Sequence, residues 1–384
     1  MVPYFVSFVM SGLVCAYGEQ EYKKKNYITS NTCFFISFMI VAILAGIRDF
    51  NVGTDISFYG NPLFKHAEKL ADLSEFYVKH EEIEPLYKIL VYFTSIITDD
   101  PHWLYFFTGI LIYGFVMWGI VKYSKVFSIS IWVAWICYLL LFYGNSLNIM
   151  RQSIAMAIGF WGFTFVINNQ YVEFLFSVLL SCLFHITGLF FILIFLVYKI
   201  LEIRNTTLIR MSMILGLFLV TIFYNQILIF FMNLGILNGK FIRYSMSGYS
   251  IAINPIIIRI PFVIAICLFI SKYTKEKGTS SLNIIINNIL GNRVIGYFLM
   301  IMVVSDMIFA PMRAISVSLY RVSLFFAIFK CIAFSRLTKI LKGDSKIIMC
   351  IAIIFYLVIL WIYQNVIQLN DEIYPYTSSI LGIK

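Results

Sequence analysis

The stretch Ile129-Ser-Ile-Trp-Val-Ala-Trp-Ile-Cys-Tyr-Leu-Leu-Leu-Phe-Tyr143, running on into Gly144-Asn145-Ser-Leu-Asn148-Ile-Met-Arg151-Gln152, decides the fold class. Its uncharged part approaches the length a helix needs to cross ~30 Å of hydrocarbon, and it ends in a polar knot suited to a membrane boundary. Similar apolar runs occupy 208–224, 255–271 and 346–363. In lipid every backbone amide must bond within its own segment, and these runs lack the two-residue alternation of a barrel strand, so the spans are expected to be helices.

Composition points the same way. Only 12% of the 384 residues are charged and 61% are hydrophobic, whereas a soluble domain carries about 25% charged residues. The net charge of +10 does not imply a nucleic-acid partner, because Lys and Arg are spread over short loops and serve as topology signals. Membrane lipids are the general partner. Cys15, Cys33, Cys137, Cys182, Cys267, Cys331 and Cys350 lie in or beside apolar spans without paired spacing, so neither disulfides nor a metal site is expected. The first seventeen residues have no basic n-region and read as a retained span.

Basic clusters place the loops 18–30, 122–128, 199–210, 272–293 and 335–346 in the cytoplasm. Segments 48–101, 144–152, 225–254 and 364–384 hold most acids and many tyrosines and are expected outside. Parity holds only if 85–97 does not cross. That segment is thirteen residues long, carries Lys88 and ends in Asp99-Asp100-Pro101, which suits an interfacial or re-entrant helix. The run 171–200 is too long for one span and breaks at His185-Ile-Thr-Gly188. The expectation is an all-α polytopic membrane protein, a single transmembrane domain over 1–384 with about 10–12 transmembrane helices and both termini outside.

Candidate chemistry lies on the outer side. Asp72, Glu75, Glu81 and Glu82 read as a solvated face. Asp55 follows Gly53, which permits a tight backbone approach, and Glu84 precedes Pro85 at a helix start, where the dipole favours a carboxylate. On one continuous helix Asn148, Arg151 and Gln152 would share a face at i, i+3 and i+4. Arg151 is then either an interfacial anchor or a phosphate-binding fork. His185, the only histidine among the spans, either bonds a neighbouring helix or serves as a base or phosphate donor. Arg313 and Arg321 stand eight residues apart near Tyr320, with Asp306 and Arg259 in other spans. Ion pairs that hold register are the structural alternative there. Arg243, Tyr244, Tyr249 and the tail Tyr374-Pro375-Tyr376 add aromatics that either anchor at the interface or stack on sugar rings.

Arg48 with Val52-Gly53-Thr54-Asp55 and Tyr59, then Glu84, Asn148-Ile-Met-Arg151-Gln152-Ser-Ile-Ala155, His185-Ile-Thr187, Tyr320-Arg321 and Tyr374-Pro375-Tyr376, taken in order, resemble the EpsG family. That family contains Wzy-like polymerases of bacterial surface polysaccharides such as O-antigen, capsule or exopolysaccharide. The resemblance implies a multi-pass enzyme of the bacterial inner (cytoplasmic) membrane. Its active site would face the periplasm or exterior, its substrate would be an undecaprenyl-pyrophosphate-linked oligosaccharide, and a chain-length regulator is an admissible partner. Glycosyl transfer from a lipid pyrophosphate needs cations for the phosphates and one proton acceptor. Arg151 with Arg321 and Arg48 are the candidate clamp, and Asp55, Glu84 and His185 the candidate bases. Asp99-Asp100 lacks the further acids of a magnesium site, so no cofactor and metal-independent activity are expected. The competing readings are a flippase or transporter of the same lipid-linked oligosaccharide, which should show internal pseudo-symmetry, and an O-antigen ligase using the same donor.

Overall fold

The structure is a computed structural model that describes residues 1–70, 72–203, 206–223, 293–309, 317–341 and 343–384, with positions 226, 229, 230 and 233. Arg243, Tyr244, Tyr249, Arg259 and Arg313, with most of 225–254 and nearly all of 272–293, lie outside the described residues. The described residues are helical apart from short connections and one isolated bridge between Ser378 and Ile383. Among the described residues seven helices are long and apolar enough to cross a membrane and four more are shorter and apolar. This is the all-α polytopic architecture expected. Two compact units divide the chain: 1–191 with 334–384, and 192–333.

In the first unit α1 (Val2–Lys23) and α2 (Tyr27–Gly46) form a hairpin. Asn26 caps α2 by accepting from the Thr29 amide. The two helices approach closely at small residues. Ser11 Oγ donates to the Ser37 carbonyl at 2.7 Å and Ser37 Oγ to the Ser11 carbonyl at 2.8 Å, the kind of polar stitch that joins helices where burial alone gives little drive. Helix α6 (His102–Phe127) packs on α2 and on α8 (Met150–Ile167), and α8 packs on α9 (Tyr171–Phe184). Helix α7 (Ile131–Asn148) is almost wholly buried beside α1, with Trp135 Nε1 donating to Ser11 Oγ at 2.7 Å.

The quoted polar knot is not a loop. Asn145 to Asn148 finish α7, and α8 begins at Met150, with only Ile149 (φ −83°, ψ 59°) between them. The single helical face expected for Asn148, Arg151 and Gln152 is therefore broken. Asn148 ends one helix while Arg151 and Gln152 open the next, because the chain must turn at the boundary.

Short helices α3 (Asn61–Lys69), α4 (Leu73–Lys79) and α5 (Pro85–Ile97) fill the segment between α2 and α6. Helix α5 starts and finishes at the same end of the unit. Glu84, before its first turn, bonds to Arg151, while after its last turn Asp99 accepts from Lys65 and His102 stacks 4.4 Å from Phe50. Both Phe50 and Arg151 belong to the end opposite Lys23 and Ser130, so α5 does not run from one end of the unit to the other. Lys88, 3% exposed, is held by the Tyr77 carbonyl at 3.1 Å.

The expected break in 171–200 is present: α9 stops at Phe184, a 3-10 turn covers Ile186–Leu189, and α10 (Phe190–Ile203) follows. In the second unit α11 (Thr207–Ile222), α12 (Arg293–Phe309) and α13 (Val317–Ala327) are described, followed by α14 (Lys330–Ile340), which runs back into the first unit. There Asp306 pairs with Lys330, both buried, and the Arg210 guanidinium lies 3.7 Å from the Tyr297 ring centre. Helix α15 (Asp344–Ile362) and the tail complete the first unit.

Candidate functional site

Glu84 stands at the N-cap of α5, where Pro85 fixes the entry and no side-chain cap bond is made. Its carboxylate is thus turned outward toward two other elements. Oε2 lies 2.6 Å from Arg151 Nη1, on the first turn of α8. Oε1 accepts from the Ile186 amide at 3.4 Å and faces His185 Nε2 at 3.9 Å, in the break between α9 and α10. All three side chains keep some solvent access: 16% for Glu84, 27% for Arg151 and 20% for His185.

The break is built to hold His185 there. Ser181 Oγ donates to the Ala155 carbonyl of α8 at 2.8 Å, and a Cβ at Gly188 would sit 2.3 Å from that same Oγ. Glycine lets the turn close onto α9, one helical turn from where α8 presents Arg151. His185 caps the turn through Nδ1, which accepts from the Thr187 amide at 3.3 Å and lies 2.7 Å from Thr187 Oγ1.

A second group borders the first. Asn148 Oδ1 accepts from Thr54 Oγ1 at 2.7 Å and from the Asp55 amide at 2.9 Å. Gly53 adopts φ +94°, which disfavours any side chain, and its Cα hydrogen faces the Leu147 carbonyl where a Cβ would come to 3.2 Å. Asp55 is therefore fixed by its backbone to the end of α7. Tyr87, on α5 one turn after Glu84, is 3% exposed, and its ring centre lies 6.0 Å from the Arg151 guanidinium. Burial pushes its phenol up to about 12 while Arg151 pulls it down, Asp55 raises it and Arg48 lowers it. Tyr87 thus stands beside Arg151 and feels the charges of both groups. Its spacing of three from Glu84 was the available signal for it.

Arg48 is a different kind of residue from the one its sequence position suggested. It is 1% exposed, donates from Nη2 to the Leu147 carbonyl at 2.8 Å, and keeps Nε and Nη1 buried without a hydrogen-bond partner. The Tyr105 ring lies 5.5 Å away. It neutralises the C-terminal end of α7, and phosphate could touch it only if the surrounding segment opened. Gln152 is 2% exposed and turned inward, its Nε2 3.9 Å from Met156 Sδ.

The tail straps the segment that carries Arg48 and Asp55. The Asp49 amide donates to the Thr377 carbonyl at 3.0 Å, the Gly53 amide to the Glu372 carbonyl at 2.9 Å, and Asn145 Nδ2 to Asp371 Oδ2 at 2.8 Å. Tyr376, 3% exposed, donates to the Leu44 carbonyl at 2.9 Å, which makes it a packing residue and not a sugar platform. The Ser379 amide on Asp49 holds that carboxyl below the usual range. Tyr320 and Arg321 lie on α13 of the other unit. Among the described residues no cluster of three or more His, Cys, Asp or Glu could hold a metal ion.

No curated protein and no solved structure matches the chain. A family match does extend over residues 31–378, from α2 through the tail, and so takes in every residue of the cluster just described. It makes the chain a polysaccharide polymerase-like membrane protein with glycosyltransferase-like character, and the chain belongs to the EpsG family.

Proposed function

We propose that the protein is a Wzy-type polymerase that transfers a growing glycan from undecaprenyl pyrophosphate onto an incoming lipid-linked repeat unit at the outer face of the bacterial inner membrane. The observation that carries this reading is the meeting of Glu84, Arg151 and His185 from three separate elements, with Arg151 Nη1 2.6 Å from Glu84 Oε2. A structural ion pair would be indifferent to a third ionisable group. Here the other carboxylate oxygen turns toward an imidazole and a backbone amide.

Arg151 answers the need of the donor. Its guanidinium fork suits two phosphate oxygens, and a pyrophosphate brings more negative charge than one carboxylate. Donor binding draws Arg151 from Glu84 to the phosphates, and the released carboxylate becomes a better proton acceptor. One ion-pair exchange thereby links donor arrival to activation of the base, so the acceptor is deprotonated only when a leaving group is present. Asp55, fixed by Asn148, and Tyr87 border the same space and orient the sugar. Arg48 supports the end of α7 from below. Arg321 and the aromatic residues outside the described part of the chain remain proposed glycan or phosphate contacts on sequence grounds.

The test is deletion of the gene in its host, with mass spectrometry of the lipid-linked oligosaccharides and assignment of their leaflet. Single repeat units on the outer leaflet with loss of polymer are expected. Units held on the inner leaflet would replace the reading by a flippase, and long chains left on the lipid would replace it by a ligase.

A further inference from the structure

Glu84 offers two unlike oxygens. Oε2 faces Arg151 and, in the reading above, the donor pyrophosphate. Oε1 faces the His185 turn, 3.4 Å from the Ile186 amide nitrogen and 3.9 Å from His185 Nε2. What the second side can bind depends on which ring nitrogen of His185 carries the proton.

The Thr187 amide settles that point. It lies 3.3 Å from Nδ1 and can only donate, so Nδ1 presents its lone pair. The Thr187 hydroxyl, 2.7 Å from the same nitrogen, is a second donor in reach. In the neutral ring the proton then resides on Nε2, the nitrogen that faces Glu84. At 3.9 Å the Nε2–H and Oε1 are too far apart for a direct hydrogen bond. An oxygen placed about 2.8 Å from both completes a triangle between them. A hydroxyl fits that triangle, since it donates its proton to the carboxylate and accepts from the imidazole N–H at once.

We propose that the Glu84 Oε1 and His185 Nε2–H pair is the acceptor-hydroxyl subsite, with His185 a hydrogen-bond donor in the Nε2–H form, Thr187 the positioning residue that fixes this tautomer, and Glu84 the sole proton acceptor. This rests on the polymerase reading for the identity of the hydroxyl. In the step it implies, Glu84 Oε1 takes the hydroxyl proton as the hydroxyl oxygen forms its bond to the anomeric carbon of the donor. The bond from that carbon to the pyrophosphate oxygen breaks, its electron pair stays on the pyrophosphate, and Arg151 meets the charge. Glu84 then returns its proton to water.

Two measurements test the subsite. The first is ¹⁵N NMR of the full-length chain labelled at its four histidines in lipid bilayers, with H185Q used to assign the His185 signals. A protonated Nε2 and a bare Nδ1 at neutral pH are expected; the opposite tautomer overturns the proposal, whether or not the protein polymerises anything. The second is polymerisation by variants whose folding is confirmed. Gln keeps an N–H near the Nε2 position but cannot act as a base, so H185Q should lose no more than about tenfold, with the acid limb of its pH profile unmoved, whereas H185F should lose about a hundredfold. Equal loss in H185Q and H185F would show that proton acceptance by the imidazole is required and would sink the donor assignment. Failure of the polymerase reading itself would appear elsewhere, as an unchanged pool of lipid-linked oligosaccharides on gene deletion.

Discussion

Two carboxylates at opposite ends of the first unit each stand by the start of a helix, Glu84 as the N-cap of α5 and Glu19, late in α1, with its side chain against the start of α7, and their surroundings differ in one respect. Glu19 is 3% exposed and closed on all sides: Oε1 meets Lys23 at 2.7 Å, while Oε2 accepts from Ser130 Oγ at 2.8 Å and from the Trp132 amide at 3.1 Å. It supplies α7 with the acceptor its first turn lacks. Ser335 closes the ring by accepting from the Ser130 amide at 2.8 Å. Glu84 has one short partner, one long one and an imidazole at 3.9 Å. A carboxylate that serves folding saturates its lone pairs, whereas one that serves chemistry keeps an oxygen under-used. The carboxylate at the basic end is saturated by its partners, and the one at the polar end is not.

The strongest way to break this contrast is to neutralise each acid without changing its shape. Glu84→Gln should lower polymerisation by about a thousandfold and leave the thermal unfolding midpoint nearly unmoved. Arg151→Ala should cost about a hundredfold or more through lost phosphate neutralisation. Normal polymer length in folded Arg151→Ala would remove the centre of the mechanism. If Glu84→Gln instead unfolds the protein and the folded fraction keeps its turnover, Glu84 is a second Glu19.

Gly53→Ala sharpens the comparison from within the polar end. At φ +94°, with the Leu147 carbonyl 3.2 Å from the new Cβ, alanine costs about 1–2 kcal/mol and shifts Asp55. Activity should fall on the order of tenfold or more, with Leu147 to Arg151 displaced in a structure of the variant. Glu19→Ala is the converse. Loss of its hydrogen bonds should lower stability by about 2 kcal/mol, read as a lower unfolding midpoint in detergent, with activity per folded molecule retained.

The contrast explains which features were legible in the sequence. Length, Lys88 and charge parity marked α5 as an interfacial or re-entrant helix, because hydrocarbon thickness and positive-inside bias act on short local stretches. The polar run at His185 marked the break between α9 and α10 for the same reason. The turn at Ile149 had no such mark. An apolar residue without Gly or Pro beside it reads as helix interior, and the face assigned to Asn148, Arg151 and Gln152 failed on that one residue. Arg48 was expected in the phosphate clamp, yet the unpaired carbonyls that end α7 draw it inside. The pairing of Glu84 with Arg151 joins positions 67 residues apart, and no spacing rule reaches that far. Thr187 passed as part of a helix break, since its importance appears only once the amide is seen to point at His185 Nδ1.

The smallest effect probes what keeps the open end in shape. The tail is held to the segment before Asp55 partly by the Ser379 amide on Asp49 Oδ1 at 2.7 Å, and this bond, with Thr377 and His102 nearby, depresses the Asp49 pKa against the opposing pull of burial. A free Asp titrates at about 3.9. Because the docked value is lower, this contribution to docking is complete above about pH 4 and is lost as pH falls through the docked pKa below it. A spin label at Ile380, an exposed position, should report an immobile tail from pH 5 to 8 and a more mobile one only under pH 4. Asp49→Asn should erase that acid transition while leaving the label somewhat mobile throughout. A transition centred between pH 5 and 8 would assign the strap to a histidine instead. The open end would then be regulated by acidity, in contrast to the saturated ring around Glu19.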